Sequence, residues 1–187
     1  MSELNQTNTV ILSCTSLLLH VKAAQEKMGT EFEIVELDRH LHMEPEKMRE
    51  RIIEIMSKLP DRVENVLVSM GLCGGSWDNV EVYKRVVIPR VDDCITLLLH
   101  TDDTQHIDLK KKGHMYFRDC DGGEYSIEAM KNKLCSKYGT EFGTTILGSW
   151  FEVYTNADII DTGVYDCYSV EYVEEAQTVS RSACSSL

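Results

Sequence analysis

Short apolar blocks alternate with longer amphipathic segments along the first half of the chain. The apolar blocks have the length and the β-branched content of buried strands; in order they are TNTVILSC, FEIVEL, NVLVSM and RVVIP. The clearest amphipathic segment is MEPEKMRERIIEIMSKLPD, where Pro45 opens the predicted helix and Pro60 ends it. Thr15 or Ser16 can cap an earlier helix, which Gly29 ends. Strand and helix therefore alternate, which is the pattern of βαβ units.

The second half of the chain continues this alternation. A short helix is predicted from about Trp77 to Lys84, and another in DDCITLLLHT. A strand follows in HMYFRD, a helix in GEYSIEAMKNKLCSKYG, and a late strand with a turn in NADIIDTGVY. We therefore predict a single α/β domain over residues 1–187, an open and mostly parallel sheet with helices on both faces, as in Rossmann-like or flavodoxin-like three-layer sandwiches. Residues from about 176 to 187 are expected to form a frayed tail or a truncated last element.

Charge and hydropathy narrow the classes of partner. The chain has 31 acidic and 19 basic residues, a formal net charge of −12. A surface that binds nucleic acid needs a basic stripe, and the one basic cluster here is KKK at residues 110–112. We therefore expect no nucleic-acid and no membrane partner. The apolar runs are too short to cross a bilayer, and the N-terminal segment lacks a basic signal region, so we expect a cytoplasmic protein.

Cysteine is the residue type that points to chemistry. The chain has seven cysteines, an odd number, and no visible secretion signal, so a disulfide framework is a poor explanation for them. Reduced thiols serve either as small buried residues or as reactive groups and metal ligands. The positions of individual cysteines in the predicted fold have to separate these alternatives.

Soft or imidazole ligands follow each of the first four predicted strands. Cys14 ends the first strand, His40 and His42 follow the second, Cys73 follows the third within GLCGG, and Cys94 follows the fourth. In an open α/β sheet, ligands bind in the crevice at the carboxyl ends of the strands. The sequence therefore predicts that these side chains converge on one site.

Thiolate and imidazole together favour a metal, with zinc foremost and iron–sulfur, nickel or cobalt as further occupants. Each of the three cysteines lies near a predicted helix N-terminus, where we expect the pKa of a thiol to be lowered. A catalytic zinc site would use three protein ligands and leave a fourth position open. The alternative is a set of buried thiols and surface histidines, because neither CxxC nor HExxH is present.

Further candidates for orienting a ligand, or for letting the backbone approach it, occur in the same loops and in a later turn. They are Gly71, Gly74, Gly75, Asp92, Asp93, Asp161, Thr162 and Gly163. Helix capping is an equal explanation for the two neighbouring aspartates, and a plain turn explains the DTG segment. The glycine turn could also hold an anion on the segment after it, without any metal.

Several blocks together resemble one known family. They are VILSC, LHMEPEKMRERI, VLVSMGLCGG, IPRVDDCITLLL and ADIIDTGVYD, from about Val10 to Asp166. The family comprises uncharacterised bacterial and archaeal proteins and is called domain of unknown function sixteen thirty-eight. The resemblance implies a ligand set of Cys14, His42, Cys73 and Cys94, and leaves His40 out. It also implies anaerobic one-carbon metabolism, because members occur beside genes of corrinoid-dependent methyltransferases.

Three functions are consistent with this sequence. The first is a zinc site that serves corrinoid-linked methyl metabolism; no acid–base motif decides whether such a protein is an enzyme. The second is a non-enzymatic accessory protein that delivers a metal or cofactor to a corrinoid protein. The third is a metal-free domain that binds a small anion. The partners expected are a small molecule or a corrinoid protein, with a homo-oligomer also consistent with the pattern.

Overall fold

The computed structural model of the chain describes residues 4–100, 109–117 and 127–184. The chain divides into two compact units, Met1–Leu109 and Lys110–Leu187. The single domain expected over the whole chain stays a prediction. In the part of the chain that the structure describes, no helix has the length and apolar character needed to cross a membrane.

Within residues 4–100 and 109, the first unit contains four strands and three α-helices, joined by loops and 3-10 turns. In chain order its elements are β1 (Thr9–Cys14), α1 (Leu18–Met28), β2 (Glu33–Leu37), α2 (Pro45–Lys58), β3 (Asn65–Ser69), β4 (Arg85–Val87) and α3 (Cys94–Leu99). Three-residue to five-residue 3-10 turns lie after the first three strands, at Thr15–Leu17, Arg39–Met43 and Cys73–Gly75. Each of these turns carries one or more of the residues singled out in the sequence.

The four strands form one parallel sheet in the order β2-β1-β3-β4. In the register, Cys14 is opposite Leu37, and Ser13 is opposite Ser69. β2 lies on one side of β1, whereas β3 and then β4 lie on the other side. The strand order therefore reverses between β1 and β3. Right-handed crossovers then place α1 and α2 on opposite faces of the sheet. The carboxyl ends of β1, β2 and β3 share one edge, where α/β folds bind ligands.

The main core lies between the sheet and α2. Side chains alternate across a strand, so Val10, Leu12 and Cys14 project to one face of β1. Leu12 is fully buried and is opposite Val35 of β2 and Val68 of β3 in the register. These residues belong to one buried cluster with the apolar face of α2, namely Met48, Ile52 and Ile55. Cys14 is therefore the last residue of the buried face, at the edge where the loops converge.

The described residues of the second unit, 110–117 and 127–184, form two strands and three helices. Its elements are β5 (His114–Phe117), α4 (Ile127–Tyr138), α5 (Thr140–Phe151), β6 (Asn156–Ile159) and α6 (Val170–Cys184). β5 and β6 pair in parallel as a separate two-stranded sheet. The helices α4 and α5 pack closely because Gly143 has no side chain; a Cβ there would lie 2.6 Å from the backbone nitrogen of Cys135.

The predicted α/β class is confirmed: the main sheet is open and parallel, and helices alternate with its strands. The predicted helix from about Trp77 to Lys84 is wrong, since this segment forms turns. Asn79 has a φ of 57°, in the left-handed region that a right-handed helix cannot include. Helices α5 and α6 were not predicted, and α6 covers most of the segment for which a tail or truncated element was expected.

Candidate metal centre

Cys14 is positioned by the end of β1. Its side chain is fully buried, on the face of the strand that packs against α2. The 3-10 turn Thr15–Leu17 begins immediately after it and redirects the chain into α1. The thiol is therefore fixed by the sheet itself at the point where the parallel strands end.

His42 is positioned by the 3-10 turn between β2 and α2. The carboxylate of Asp38 accepts a hydrogen bond from the backbone N–H of His40 and starts the turn. The backbone N–H of Arg39 donates to Oγ1 of Thr15 over 3.0 Å. This bond joins the loop after β2 to the loop after β1, and so holds the imidazole of His42 near Cys14.

Cys94 is the first residue of α3. Asp93 caps that helix by accepting hydrogen bonds from the backbone N–H of Thr96, at 2.8 Å, and from its hydroxyl, at 3.0 Å. A Cβ at Gly71 would lie 2.5 Å from backbone atoms of Asp93, so only glycine allows this approach. The close contact of the two loops brings the start of α3 to the end of β3.

The three side chains meet in one group. Sγ of Cys14 lies 3.2 Å from Nε2 of His42, and Sγ of Cys94 lies 4.0 Å from the same nitrogen. All three potential ligand atoms lie within 4.8 Å of one another. The two cysteines are buried and His42 is half-buried. Residues separated by up to 80 positions in the sequence thus form one compact cluster.

The spacing fits a tetrahedral zinc ion. Zinc bonds of about 2.3 Å to sulfur and about 2.1 Å to nitrogen place the two ligand atoms about 3.6 Å apart at the tetrahedral angle. The two sulfur–nitrogen distances observed lie on either side of this value. Two thiolates and an imidazole are also a donor set that catalytic zinc sites use. The cluster can therefore hold a metal ion with only small side-chain adjustments.

Crowding changes the acidity of the metal-free cluster. The pKa of Cys14 is raised from 9.0 to about 12, first by its hydrogen bond with Cys94 and then by burial. The pKa of His42 is raised from 6.5 to about 9, first by the contact with Cys14 and then by that with Cys94. The expected lowering of the pKa is thus wrong for Cys14, because a neighbouring thiol and burial outweigh the helix dipole. A metal ion would take the place of these protons.

Cys73 is buried in the same core but is not part of this group. Among the described residues, the group of ligand atoms contains Cys14, His42 and Cys94. Cys73 has a φ of 45° and donates its backbone N–H to the carbonyl of Asp92 over 2.7 Å. Its role as a ligand stays a prediction. Nδ1 of His40 lies 3.0 Å from Oδ1 of Asp38, and His40 also lies outside the group.

The other candidate residues have mainly local partners. The carboxylate of Asp93 caps α3, and the carbonyl of Asp92 accepts from Cys73, so both have backbone roles. In the second unit, Oδ1 of Asp161 accepts from the backbone N–H of Gly163 over 3.0 Å, across Thr162. This is the hydrogen bond of an Asx turn, which accounts for the DTG segment without a ligand.

The glycine turn at residues 71–75 has little capacity to hold an anion. The backbone N–H groups of Leu72 and Cys73 donate to the carbonyls of Val91 and Asp92, and those of Gly75 and Ser76 donate to Leu72. Gly74 and Gly75 adopt φ values of 67° and 82°, which serve the tight turn. Three backbone donors of the turn, and the donor of the residue after it, are therefore used within the fold.

One contact of the site was not predicted. Ser16 was considered as a helix cap, but α1 has no side-chain cap; instead Oγ of Ser16 lies 2.9 Å from Sγ of Cys14 and 3.7 Å from Sγ of Cys94. A serine two residues after a cysteine is too common to signal such a contact. Only the tight turn after β1 reveals it.

Residues 36–183 match the model of a family described as "Protein of unknown function (DUF1638)". The chain belongs to this family. The match covers His42, Cys73 and Cys94 and begins after Cys14. No curated protein and no solved structure matches the chain. The resemblance inferred from the sequence motifs is thus confirmed, and the function has to be argued from the cluster.

Proposed function

We propose that the cluster of Cys14, His42 and Cys94 is a zinc site with an open fourth position. One observation carries this proposal: three side chains from a strand end, a 3-10 turn and a helix start place their ligand atoms within 4.8 Å of one another at the carboxyl edge of a parallel sheet. Core packing alone would not require an imidazole nitrogen to approach two buried sulfurs. Zinc is the metal that such a mixed sulfur and nitrogen set favours most.

Charge balance supports a divalent ion. Two thiolates buried side by side would repel each other. The pKa of Cys14 is raised first by its hydrogen bond with Cys94, then by burial, and further by the charge of Cys94. A divalent cation with two thiolates and a neutral imidazole has no net charge. Binding therefore removes the repulsion and releases the protons that hold the metal-free cluster together.

The fourth position distinguishes a structural site from a reactive one. Structural zinc sites have four protein ligands, whereas catalytic ones have three and a water or substrate. We place a substrate thiol at the open position, because zinc keeps a bound thiol deprotonated at neutral pH. Cys73 is the alternative fourth ligand, since it belongs to the same buried core.

The wider role proposed is methyl transfer in anaerobic corrinoid-linked one-carbon metabolism, in the cytoplasm. It rests on the family resemblance and not on a contact in the site. The partner would be a small thiol or a corrinoid protein, and a homo-oligomer is compatible with this role. An accessory protein that delivers metal would use the same ligands, and would differ by releasing the metal readily to its partner.

Metal analysis of protein purified without oxygen tests the zinc site. We expect about one zinc per chain, lost in Cys14→Ser and Cys94→Ser but kept in Cys73→Ser and in the control Cys135→Ser from the second unit. Loss of zinc in Cys73→Ser would establish a fourth protein ligand and refute the open position. Full retention of zinc in the Cys14→Ser, Cys94→Ser double variant would refute the site.

How firmly the protein retains zinc distinguishes an enzyme from a protein that delivers metal. An enzyme should keep its zinc during dialysis against a weak chelator, because every turnover needs the metal. A delivery protein should lose it within the same time. Iron with visible absorption, in place of zinc, would keep the ligands and change the chemistry to electron transfer.

A further inference from the structure

We infer that Ser16 is a positioning residue of the metal site, whose hydroxyl donates a hydrogen bond to the sulfur of Cys14 and sets the charge that this sulfur gives to the metal. This inference rests on the proposed zinc site. It adds a role for a residue that neither the sequence motifs nor the family match assigns.

The position of the hydroxyl supports this role. Ser16 is only 4% exposed, and its Oγ lies 2.9 Å from Sγ of Cys14 and 3.7 Å from Sγ of Cys94. Without metal, either the thiol or the hydroxyl can be the donor. A metal-bound thiolate has no proton, so in the loaded site the hydroxyl must donate. Sγ of Cys14, at 2.9 Å, is the nearer acceptor for this hydrogen, and Sγ of Cys94, at 3.7 Å, is the more distant one.

The hydrogen bond has consequences for the metal. It draws negative charge from the sulfur, which lowers the energy of the sulfur lone pairs and fixes the side chain of Cys14 in the orientation that the metal needs. Removal of groups that hydrogen-bond to metal ligands typically weakens metal binding about 10-fold to 100-fold. Once the hydrogen bond is removed, charge transfer from sulfur to the metal should need less energy, and the absorption band of this transfer should move to longer wavelength.

The neighbouring residue Ser13 offers a matched control. It is fully buried, and its hydroxyl donates to the backbone carbonyl of Cys14 over 3.0 Å, not to a sulfur. Ser13→Ala therefore removes the same group, from the same strand end, without touching the ligand atoms. Any effect of local packing should appear in both alanine variants.

Cobalt(II) gives the readout, because it occupies tetrahedral zinc sites and has a visible sulfur charge-transfer band. Wild-type protein, Ser16→Ala, Ser16→Thr and Ser13→Ala are purified without metal, loaded with cobalt(II) and titrated in the absence of oxygen. We expect Ser16→Ala to bind cobalt about 10-fold to 100-fold more weakly, with a band at longer wavelength. Ser16→Thr keeps the hydroxyl and should restore both values, and Ser13→Ala should match the wild type.

An unchanged band and affinity in Ser16→Ala would overturn the inference while leaving the metal site intact. Equal changes in Ser13→Ala and Ser16→Ala would also overturn it, because packing would then be the cause. A wild-type protein that binds no cobalt or zinc would refute the proposed function itself. If Ser16→Ala does not fold, Ser16→Gly removes the same hydroxyl and is measured instead.

Discussion

Two histidines of the chain, one in each unit, lie next to different partners. Nε2 of His42 lies 3.2 Å from the sulfur of Cys14, with a second sulfur close by. Nδ1 of His114, on β5, lies 2.7 Å from Oδ2 of Asp158 on the adjacent strand β6. The first arrangement is a mixed set of soft metal ligands, whereas the second is a contact between an imidazole and a carboxylate that joins two strands. The neighbours of a histidine, more than its place beside a parallel sheet, decide what it can do.

A buried cysteine from each unit, Cys14 and Cys167, can be compared in the same way. In the first unit, Cys14 has a raised pKa because of its hydrogen bond with Cys94 and then because of burial. In the second unit, burial raises the pKa of Cys167, and the carboxylate of Asp161 raises it further. A zinc ion would relieve the crowding of the two sulfurs. The thiol of Cys167 faces a carboxylate and, within the described residues, belongs to no group of metal ligands.

Replacing one cysteine in each unit should produce the largest difference in zinc affinity. Zinc sites bind with about 10–16 kcal/mol, so one of three ligands accounts for roughly a thousandfold in affinity. We expect Cys14→Ser to weaken zinc binding by about this factor and Cys167→Ser to leave it unchanged. Competition with a chromophoric chelator measures both constants. Similar losses in the two variants would mean that the cluster is not the site.

The affinity of the cluster for zinc should depend strongly on pH. In the metal-free fold the pKa of His42 is about 9 and that of Cys14 about 12, so both groups must lose a proton to bind metal. Below pH 9 both His42 and Cys14 hold a proton that the metal must displace, so we expect affinity to rise there by at least about 100-fold per pH unit, and to rise less steeply above pH 9, where His42 has lost its proton. Chelator competition at several pH values measures the slope. A flat profile would show that these protons are not displaced by metal.

The raised pKa of His42 also determines how the stability of the metal-free protein changes with pH. A raised pKa means that the folded state holds its proton more tightly than the unfolded chain does. The contribution of His42 to stability is therefore complete below pH 6.5 and is lost as the pH rises to about 9. Zinc removes this dependence, so urea titrations with and without metal should diverge as the pH is raised. Parallel curves would contradict the assignment of His42 to the cluster.

The sequence was sufficient for the sheet and for most of the site. Short apolar blocks with β-branched residues predicted the strands, and a ligand after each strand placed Cys14, His42 and Cys94 at one edge. It could not show which of the four candidate ligands bring their ligand atoms within 4.8 Å of one another. Nor could it give the direction of the pKa shift of Cys14, which depends on the distance to another sulfur. Periodicity reports which face is buried; distances across loops come only from the fold.

One loop glycine from each unit, Gly71 and Gly163, can also be compared. Gly71 allows the loop after β3 to touch the backbone of Asp93, whereas Gly163 has a φ of 70° and no atom within 4 Å of an added Cβ. Gly71→Ala should cost about 1–3 kcal/mol because the backbone has to move, and should also weaken zinc binding by displacing Cys94. Gly163→Ala strains only its own backbone and should cost about 1 kcal/mol. Urea denaturation gives both values, and equal zinc affinities in the two variants would contradict this role of Gly71.

The smallest effect is expected for the histidine of the second unit. The side chains of His114 and Asp158 are 20% and 36% exposed, so water screens part of their attraction. We expect His114→Gln to reduce stability by only about 0.5 kcal/mol, because the contact is partly exposed and a glutamine can still donate a hydrogen bond to Asp158. It should leave zinc binding unchanged, whereas His42→Gln should weaken it strongly. Chelator competition and urea denaturation on both variants test this contrast. Loss of zinc from His114→Gln would mean that the imidazole beside a carboxylate also serves the metal, and that the division drawn between the two histidines is wrong.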